Sequence, residues 1–300
     1  MDYKSLYENK NLGQILFGEE LKNYTNFGIG GLADALALPG TVDELEALLK
    51  FNYENKIETS VIGKGTNLLV SDKGIRGCVI VLADNFDDVK IEDDCLTALS
   101  GTALIKASRA AIEIGLAGME EISGIPGSVG GAIAMNAGAY GGEIKDIVVE
   151  VKAFDYEGNL HTFNNDDMHF SYRHSRVFED NLIVVSAKFK LKPDDKRLVI
   201  DRFKDYRDRR TSKQPLDKKS AGSTFKRPEG SYASKLIDEC GLRGFREGDC
   251  QVSEKHCGFI INTGDATCNE MLAFINHVAA IVKEKTGFTL EREVKLVGEL

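Results

Sequence analysis

The sequence predicts an α+β protein of more than one domain, and three features carry that reading. At 300 residues the chain exceeds what one hydrophobic core usually serves. Alternating strand patterns and apolar-faced helices both recur along it. Between residues 118 and 142 there are eight glycines, a density that weakens ordinary helices and strands and favours close approach of backbone to a ligand. Ile125, Val129, Ile133 and Met135 lie among them, which excludes a flexible polar linker. Residues 124–142, GIPGSVGGAIAMNAGAYGG, are therefore expected to form an ordered, buried wall against something flat or phosphate-rich.

Taken in order, residues 1–30 begin with a polar helical lead-in and end in NYTNFGIGG. That glycine cluster is either a second close backbone approach or a tight turn. Residues 32–38 read as a buried strand. Thr41 and Glu44 form a capping box for a helix to about Asn55, with Leu45, Leu48, Leu49 and Asn52 on its inner face. Residues 59–71, TSVIGKGTNLLVS, give a strand, a GKGTN turn and a second apolar run. The turn resembles a phosphate loop, although a plain hairpin explains it as well. Strands are expected at 77–82 and 95–100, with an exposed acidic turn at 84–94 and a largely buried helix at 102–115. Beyond the wall, 146–154 and 182–191 alternate as strands, and a hairpin turn lies at 155–159. Pro193 marks a boundary before a charged helix at 196–210. Later come small residues leading into a strand at 220–228, a helix at 231–240, a strand at 256–262, a helix at 268–286 stopped by Gly287, and a strand at 290–297.

Composition removes several function classes. The net charge of -9 argues against nucleic acid, which requires clustered Lys and Arg. Six cysteines without CxxC or Cys/His ligand spacing read as reduced packing residues and suggest no metal. With no apolar leader and no long apolar run, a cytoplasmic protein with no membrane partner is expected. Charge is nevertheless uneven. Residues 202–227 hold ten Lys/Arg against Asp205, Asp208 and Asp217, so a +7 island sits on an acidic chain. Charge runs are usually solvated helix faces. This one continues past the helix through Lys213, Lys218 and Lys219 to Lys226 and Arg227, which favours an anionic ligand.

NYTNFGIGG, IGKGTNLLVSDKGIRG, GIPGSVGGAIAMNAGAYGGE, SYRHSR, SAGSTFKRP and LEREVKLVG together resemble the UDP-N-acetylenolpyruvoylglucosamine reductases, from about residue 22 to the end. GKGTNLLVSD with GIPGSVGGA alone would indicate an FAD module shared with many oxidases; the later YRxS, GSxFK and LExEV motifs narrow the match. The resemblance implies a two-lobed FAD-binding module of the vanillyl-alcohol-oxidase/PCMH type followed by a smaller α+β substrate-binding domain. The lobes would be residues 1–55 and 56–200, and the substrate domain 201–300. It implies FAD held by Ile62, Gly63, Lys64, Gly65, Thr66, Asn67, Leu68, Gly124, Gly127, Ser128 and Gly131, with Asn136, Ala137 and Tyr140 near the isoalloxazine. No histidine precedes His161, which rules out a histidyl link in the first lobe, so the FAD is expected to be non-covalent.

NADPH would supply the hydride, and a nucleotide-sugar enolpyruvyl ether would accept it. Arg173 matches the position that holds the substrate carboxylate, Ser223 the proton donor and Glu293 the family glutamate, which should be protonated or bonded through an intermediary. Tyr172, Lys213, Lys226 and Arg227 would contact substrate, although the family commonly has Asn where Arg227 stands. The segment after Arg173 lacks a long tyrosine-bearing insertion, which matches the shorter, second type of the family. A monomer is expected. The rival readings are an oxidase built on the same module and a non-catalytic nucleotide-sugar sensor.

Overall fold

A computed structural model describes residues 2–8 and 10–299. The chain forms two compact units that do not follow its order. One holds residues 1–17, 35–64 and 77–210; the other holds 18–34, 65–76 and 211–300. The chain passes from one to the other inside the GKGTN turn, between Lys64 and Gly65.

A four-stranded sheet, most of it in the first unit, runs in the order Gln14–Phe17, Ala33–Leu38, Ile75–Val81, Thr59–Ile62. Its first pair is antiparallel and its last parallel. The helix Val42–Glu54 packs Leu45, Leu48 and Leu49, all wholly buried, against Ala35, Ala37, Cys78 and Ile80. Thr41 caps that helix by accepting the Glu44 N–H at 3.1 Å. The expected capping box is only half made, because the Glu44 carboxylate takes the Gly40 N–H at 2.7 Å instead of returning to Thr41. A second sheet is antiparallel throughout, in the order Leu160–Asn164, Val148–Phe154, Ile183–Lys190, Cys95–Leu99, Val89–Glu92. Its last strand corrects the expectation of an exposed turn over 84–94: Lys90 and Glu92 are exposed while Val89–Glu92 pairs with Cys95–Leu99. The helices Leu104–Ile112 and Val129–Ala134 share a core with this sheet through Leu104, Ala107, Val129, Ile133 and Phe189. The charged helix, Lys196–Lys213, buries Val199 and Phe203 against Ile112.

The second unit has an antiparallel sheet ordered Lys219–Ser223, Phe259–Asn262, Cys250–Val252, Arg246–Glu247. The helix Cys268–Thr286 buries Met271, Phe274, Ile275, Val278 and Val282 against it, each apolar side chain contributing about 1.5–3 kcal/mol. A full capping box at Thr267 and Glu270 starts this helix and Gly287 caps its end. Its bounds are those expected from the sequence. The small-residue segment behaves differently from expectation: Lys219–Ser223 is itself the strand, and the cationic residues that follow it leave the sheet. Likewise only Lys295–Val297 of the tail is strand, paired in parallel with Leu68–Val70. The described cysteines are all free; five are buried and Cys95 is half-buried. Among the described residues no helix is long and apolar enough to cross a membrane.

Candidate active site

In the first unit the start of the GKGTN turn lies against the wall. A Cβ added at Gly63 would stand 2.5 Å from Ser128 Oγ, so the Ser128 hydroxyl packs directly against the Gly63 backbone. Ser128 caps the helix Val129–Ala134 by accepting the Gly131 N–H. The Val129 and Gly130 amides donate to the carbonyls of Thr102 and Ser100, both at 2.8 Å. The first amides of this short helix are thus used inside the protein, and the wall serves as a close-packed surface more than as an amide nest. It is ordered but only partly buried. Val129, Ala132, Ile133, Asn136 and Ala137 are inside, whereas Gly131 and Tyr140 are exposed. Lys64 pairs with Asp84.

The glycines at either end of the wall accommodate neighbouring side chains. A Cβ at Gly124 would lie 2.9 Å from Arg210 Nε, and one at Gly142 would lie 3.0 Å from Glu121 Cβ. Tyr206 stacks beside Tyr140 with ring centroids 5.1 Å apart, and Arg210 lies over the Tyr140 ring at 5.9 Å. Arg210 is buried, and that burial pulls its guanidinium below the usual arginine range. Nothing in the sequence marked Tyr206 or Arg210 as neighbours of the wall, because their contacts depend on where one long helix comes to rest.

Asn136 joins the wall to the segment bearing Arg173. Wholly buried at φ +39°, it donates to the Ser171 carbonyl (3.1 Å) and the Glu143 carboxylate (3.0 Å), and accepts from the Lys145 N–H (3.1 Å). Its side chain is thus committed within the protein, and its backbone N–H donates to the Ile133 carbonyl at 3.2 Å. Burial acts to raise the Glu143 carboxyl, but hydrogen bonds from Lys145 and Asn136 and the charges of Lys145 and Arg173 hold it below the usual range. Arg173 sits in a tight turn closed by the Ser171–His174 bridge, at φ +57°. Its guanidinium lies over the exposed Tyr172 ring at 4.9 Å and reaches the Gly138 carbonyl at 3.4 Å.

The second unit carries the rest of the turn. A Cβ at Gly65 would strike the Tyr24 carbonyl oxygen at 2.0 Å. Leu68 begins the strand beside Lys295, and the Asn67 side chain reaches the Glu293 carbonyl at 3.5 Å. Thr224 accepts the Glu293 N–H at 2.9 Å and Glu291 accepts the Lys226 N–H at 2.8 Å. This short antiparallel contact, centred on Phe225 and Arg292, places Ser223 and Glu293 on adjacent stretches of backbone. Ser223 is exposed and follows a register shift in its strand. The Lys226 ammonium is paired with Glu291. Arg227 stacks over Tyr232 at 4.1 Å, and Lys213 is exposed near the end of its helix. No group among the described residues could hold a metal ion.

A family model described as FAD binding domain matches residues 33–164. A Phl p 4 variant described as a glucose oxidase, 14% identical with TM-score 0.50, covers 96% of this chain and 64% of its own, and shares the fold alone. The chain is thus an α+β flavoprotein whose cofactor is FAD. A second model, UDP-N-acetylenolpyruvoylglucosamine reductase, C-terminal domain, matches residues 214–297. The reductase of that name from Syntrophomonas wolfei is 43% identical over 99% of both chains. The one from Clostridioides difficile is 46% identical over 95% of this chain and 94% of its own. The crystal structure of the Thermus caldophilus reductase is 35% identical with TM-score 0.81, covering 94% of this chain and 98% of that one. The chain belongs to the UDP-N-acetylenolpyruvoylglucosamine reductase family.

Proposed function

We propose that this protein reduces the enolpyruvyl ether of UDP-N-acetylglucosamine enolpyruvate to the lactyl ether of UDP-N-acetylmuramate, a step of peptidoglycan precursor synthesis. It acts as a cytoplasmic monomer with NADPH as hydride donor. When bound, non-covalently, FAD supplies hydride transfer to the vinyl carbon beta to the substrate carboxylate. The residues assigned to hold it are Ile62–Leu68, Gly124, Gly127, Ser128, Gly131, Asn136, Ala137 and Tyr140. The chain fits such a group where the wall is open, at the exposed Gly131 and Tyr140. Residues 1–55 and 56–200 are assigned to the two lobes of the FAD module, and 201–300 to substrate.

Hydride addition leaves negative charge on the alpha carbon, delocalised into the carboxylate. A guanidinium fixed toward that carboxylate attracts it more strongly as the charge grows, and this is the role given to Arg173. Ser223 delivers the proton to the alpha carbon. A hydroxyl is a poor general acid near neutrality, but a carbanion-like centre is basic enough to take its proton. Glu293 assists either protonated or bonded through an intermediary, since a bare carboxylate would repel the enolate. Lys226 can steady the resulting alkoxide only by loosening its pair with Glu291. Tyr172, Lys213, Lys226 and Arg227 are assigned to the nucleotide sugar. The observation that supports this reading is the backbone contact between residues 224–226 and 291–293, which begins next to Ser223 and includes Glu293.

The test is NADPH oxidation by the purified FAD protein with and without the enolpyruvyl nucleotide sugar. Oxidation should require the sugar and stop when it is consumed; oxidation indifferent to the sugar, with oxygen as acceptor, would return the chain to the oxidase reading. In the Ser223→Ala variant, flavin reduction by NADPH should persist while reoxidation by substrate falls about 10²-fold or more, the range of a lost general acid.

A further inference from the structure

The turn that presents Arg173 is bracketed by a single carboxylate. His169 Nδ1 donates to Glu179 Oε2 and His174 Nε2 donates to Glu179 Oε1, each at 2.9 Å. The two histidines flank the turn, and His169 and Arg173 both have left-handed backbone, at φ +48° and +57°. Such conformations are unfavourable for a non-glycine residue and persist only where the surroundings over-determine them. The base of the turn is held by the Asn136 bond to Ser171 and by Ser175 Oγ donating to the Ala134 carbonyl at 2.9 Å. Its flanks are held by Glu179. Arg176, which donates to Asp180 at 2.6 Å and to the Asp167 carbonyl at 3.3 Å, offers the histidines no acceptor.

We propose that Glu179 is a positioning residue for the reductive step, tying His169 and His174 together so that the strained turn between them holds the Arg173 guanidinium in the orientation that receives the substrate carboxylate. This rests on the carboxylate-binding role given to Arg173 above. Glu179 is exposed, so its replacement leaves the core intact, and the bonds at the base of the turn remain. The loss is therefore one of aim, felt where Arg173 acts and not where NADPH reduces the flavin.

The experiment compares the two half-reactions of the FAD-loaded protein for wild type, Glu179→Ala, Glu179→Gln and Arg173→Lys. In Glu179→Ala, reoxidation by UDP-N-acetylglucosamine enolpyruvate should slow about tenfold, with a matching rise in KM, as expected for a misplaced binding group. Flavin reduction by NADPH and FAD content should stay within about twofold, well inside that misplacement effect. Glu179→Gln, with one carbonyl acceptor left, should recover part of the loss. Wild-type reoxidation in Glu179→Ala, with Arg173→Lys impaired, would overturn the proposal while leaving the role of Arg173 standing. Equal losses in both half-reactions with reduced FAD content would also overturn it, by making Glu179 merely structural. Unimpaired reoxidation in Arg173→Lys would remove the role of Arg173 itself, and that of Glu179 with it.

Discussion

Two glycine-rich regions of this chain use the same residue for different physical ends. In the second unit, Cβ atoms at Gly31, Gly65 and Gly74 would collide with the carbonyl oxygens of Asp72, Tyr24 and Leu32 at 2.2, 2.0 and 1.8 Å. Backbone crosses backbone there, and neither partner can yield without breaking the local ladder. In the wall of the first unit, Cβ atoms at Gly124, Gly138 and Gly142 would meet side chains of Arg210, Glu143 and Glu121, and one at Gly141 would meet nothing within 4 Å. The first region has its glycines for main-chain crossings and the second mostly for side-chain packing. Glycine density alone does not separate these cases; the atom that a methyl group would strike does.

Substitutions can break or sharpen that contrast. The largest effect is expected for Gly65→Ala, which combines the collision at Tyr24 with a left-handed φ of +61°. Destabilisation above about 3 kcal/mol with loss of bound FAD should be seen in denaturant unfolding and flavin absorbance. Unchanged stability would show that the crossing can relax. Gly130→Ala should cost less. Its Cβ would lie 2.7 Å from Ser100 Cβ, an overpacking penalty of about 1–3 kcal/mol, partly offset by up to about 1 kcal/mol of helix propensity. A gain in stability would mean that the Ser100 segment moves freely. Smaller again is Gly141→Ala, which meets open space and suffers only its φ of +99°. A cost of about 1 kcal/mol with FAD retained is expected, and a loss as severe as at Gly65 would erase the distinction between the regions.

The smallest effect concerns a turn outside both regions. Burial acts to raise the Asp155 carboxyl, but hydrogen bonds from the Asn159 side chain and backbone, His161 and the Glu157 amide bring it down to about 2. A depressed carboxylate stabilises the fold above its unfolded pKa, and that contribution fades as pH falls through the folded value. The urea midpoint of wild type should thus exceed that of Asp155→Asn slightly at pH 7, with the gap narrowing from about pH 4 toward pH 2. A gap that widens on acidification would contradict the sign.

Much of this molecule was legible in its sequence, most clearly where interactions are local. The helix Cys268–Thr286 was readable to the residue because its capping box, its apolar face and Gly287 lie within one stretch of chain. The GKGTN turn and the glycine wall were likewise visible as segments, and the motif set pointed to the family and its FAD. Short-range reading failed where a partner strand supplied the bonds, as at Val89–Glu92, or where pairing stopped early, as at Lys295–Val297.

By itself, then, the sequence determined the residue types at the site, the FAD module and the family, because these are written in contiguous motifs whose side chains or lack of them carry the chemistry. Only the tertiary structure decided that the two units interleave along the chain and that Gly124 makes room for Arg210. It also brought residue 224 beside residue 293 and put Glu179 across the flanks of the Arg173 turn. Those pairings join segments distant in sequence or bend a short one back on itself, and no local pattern of hydrophobicity or propensity encodes which atoms will meet.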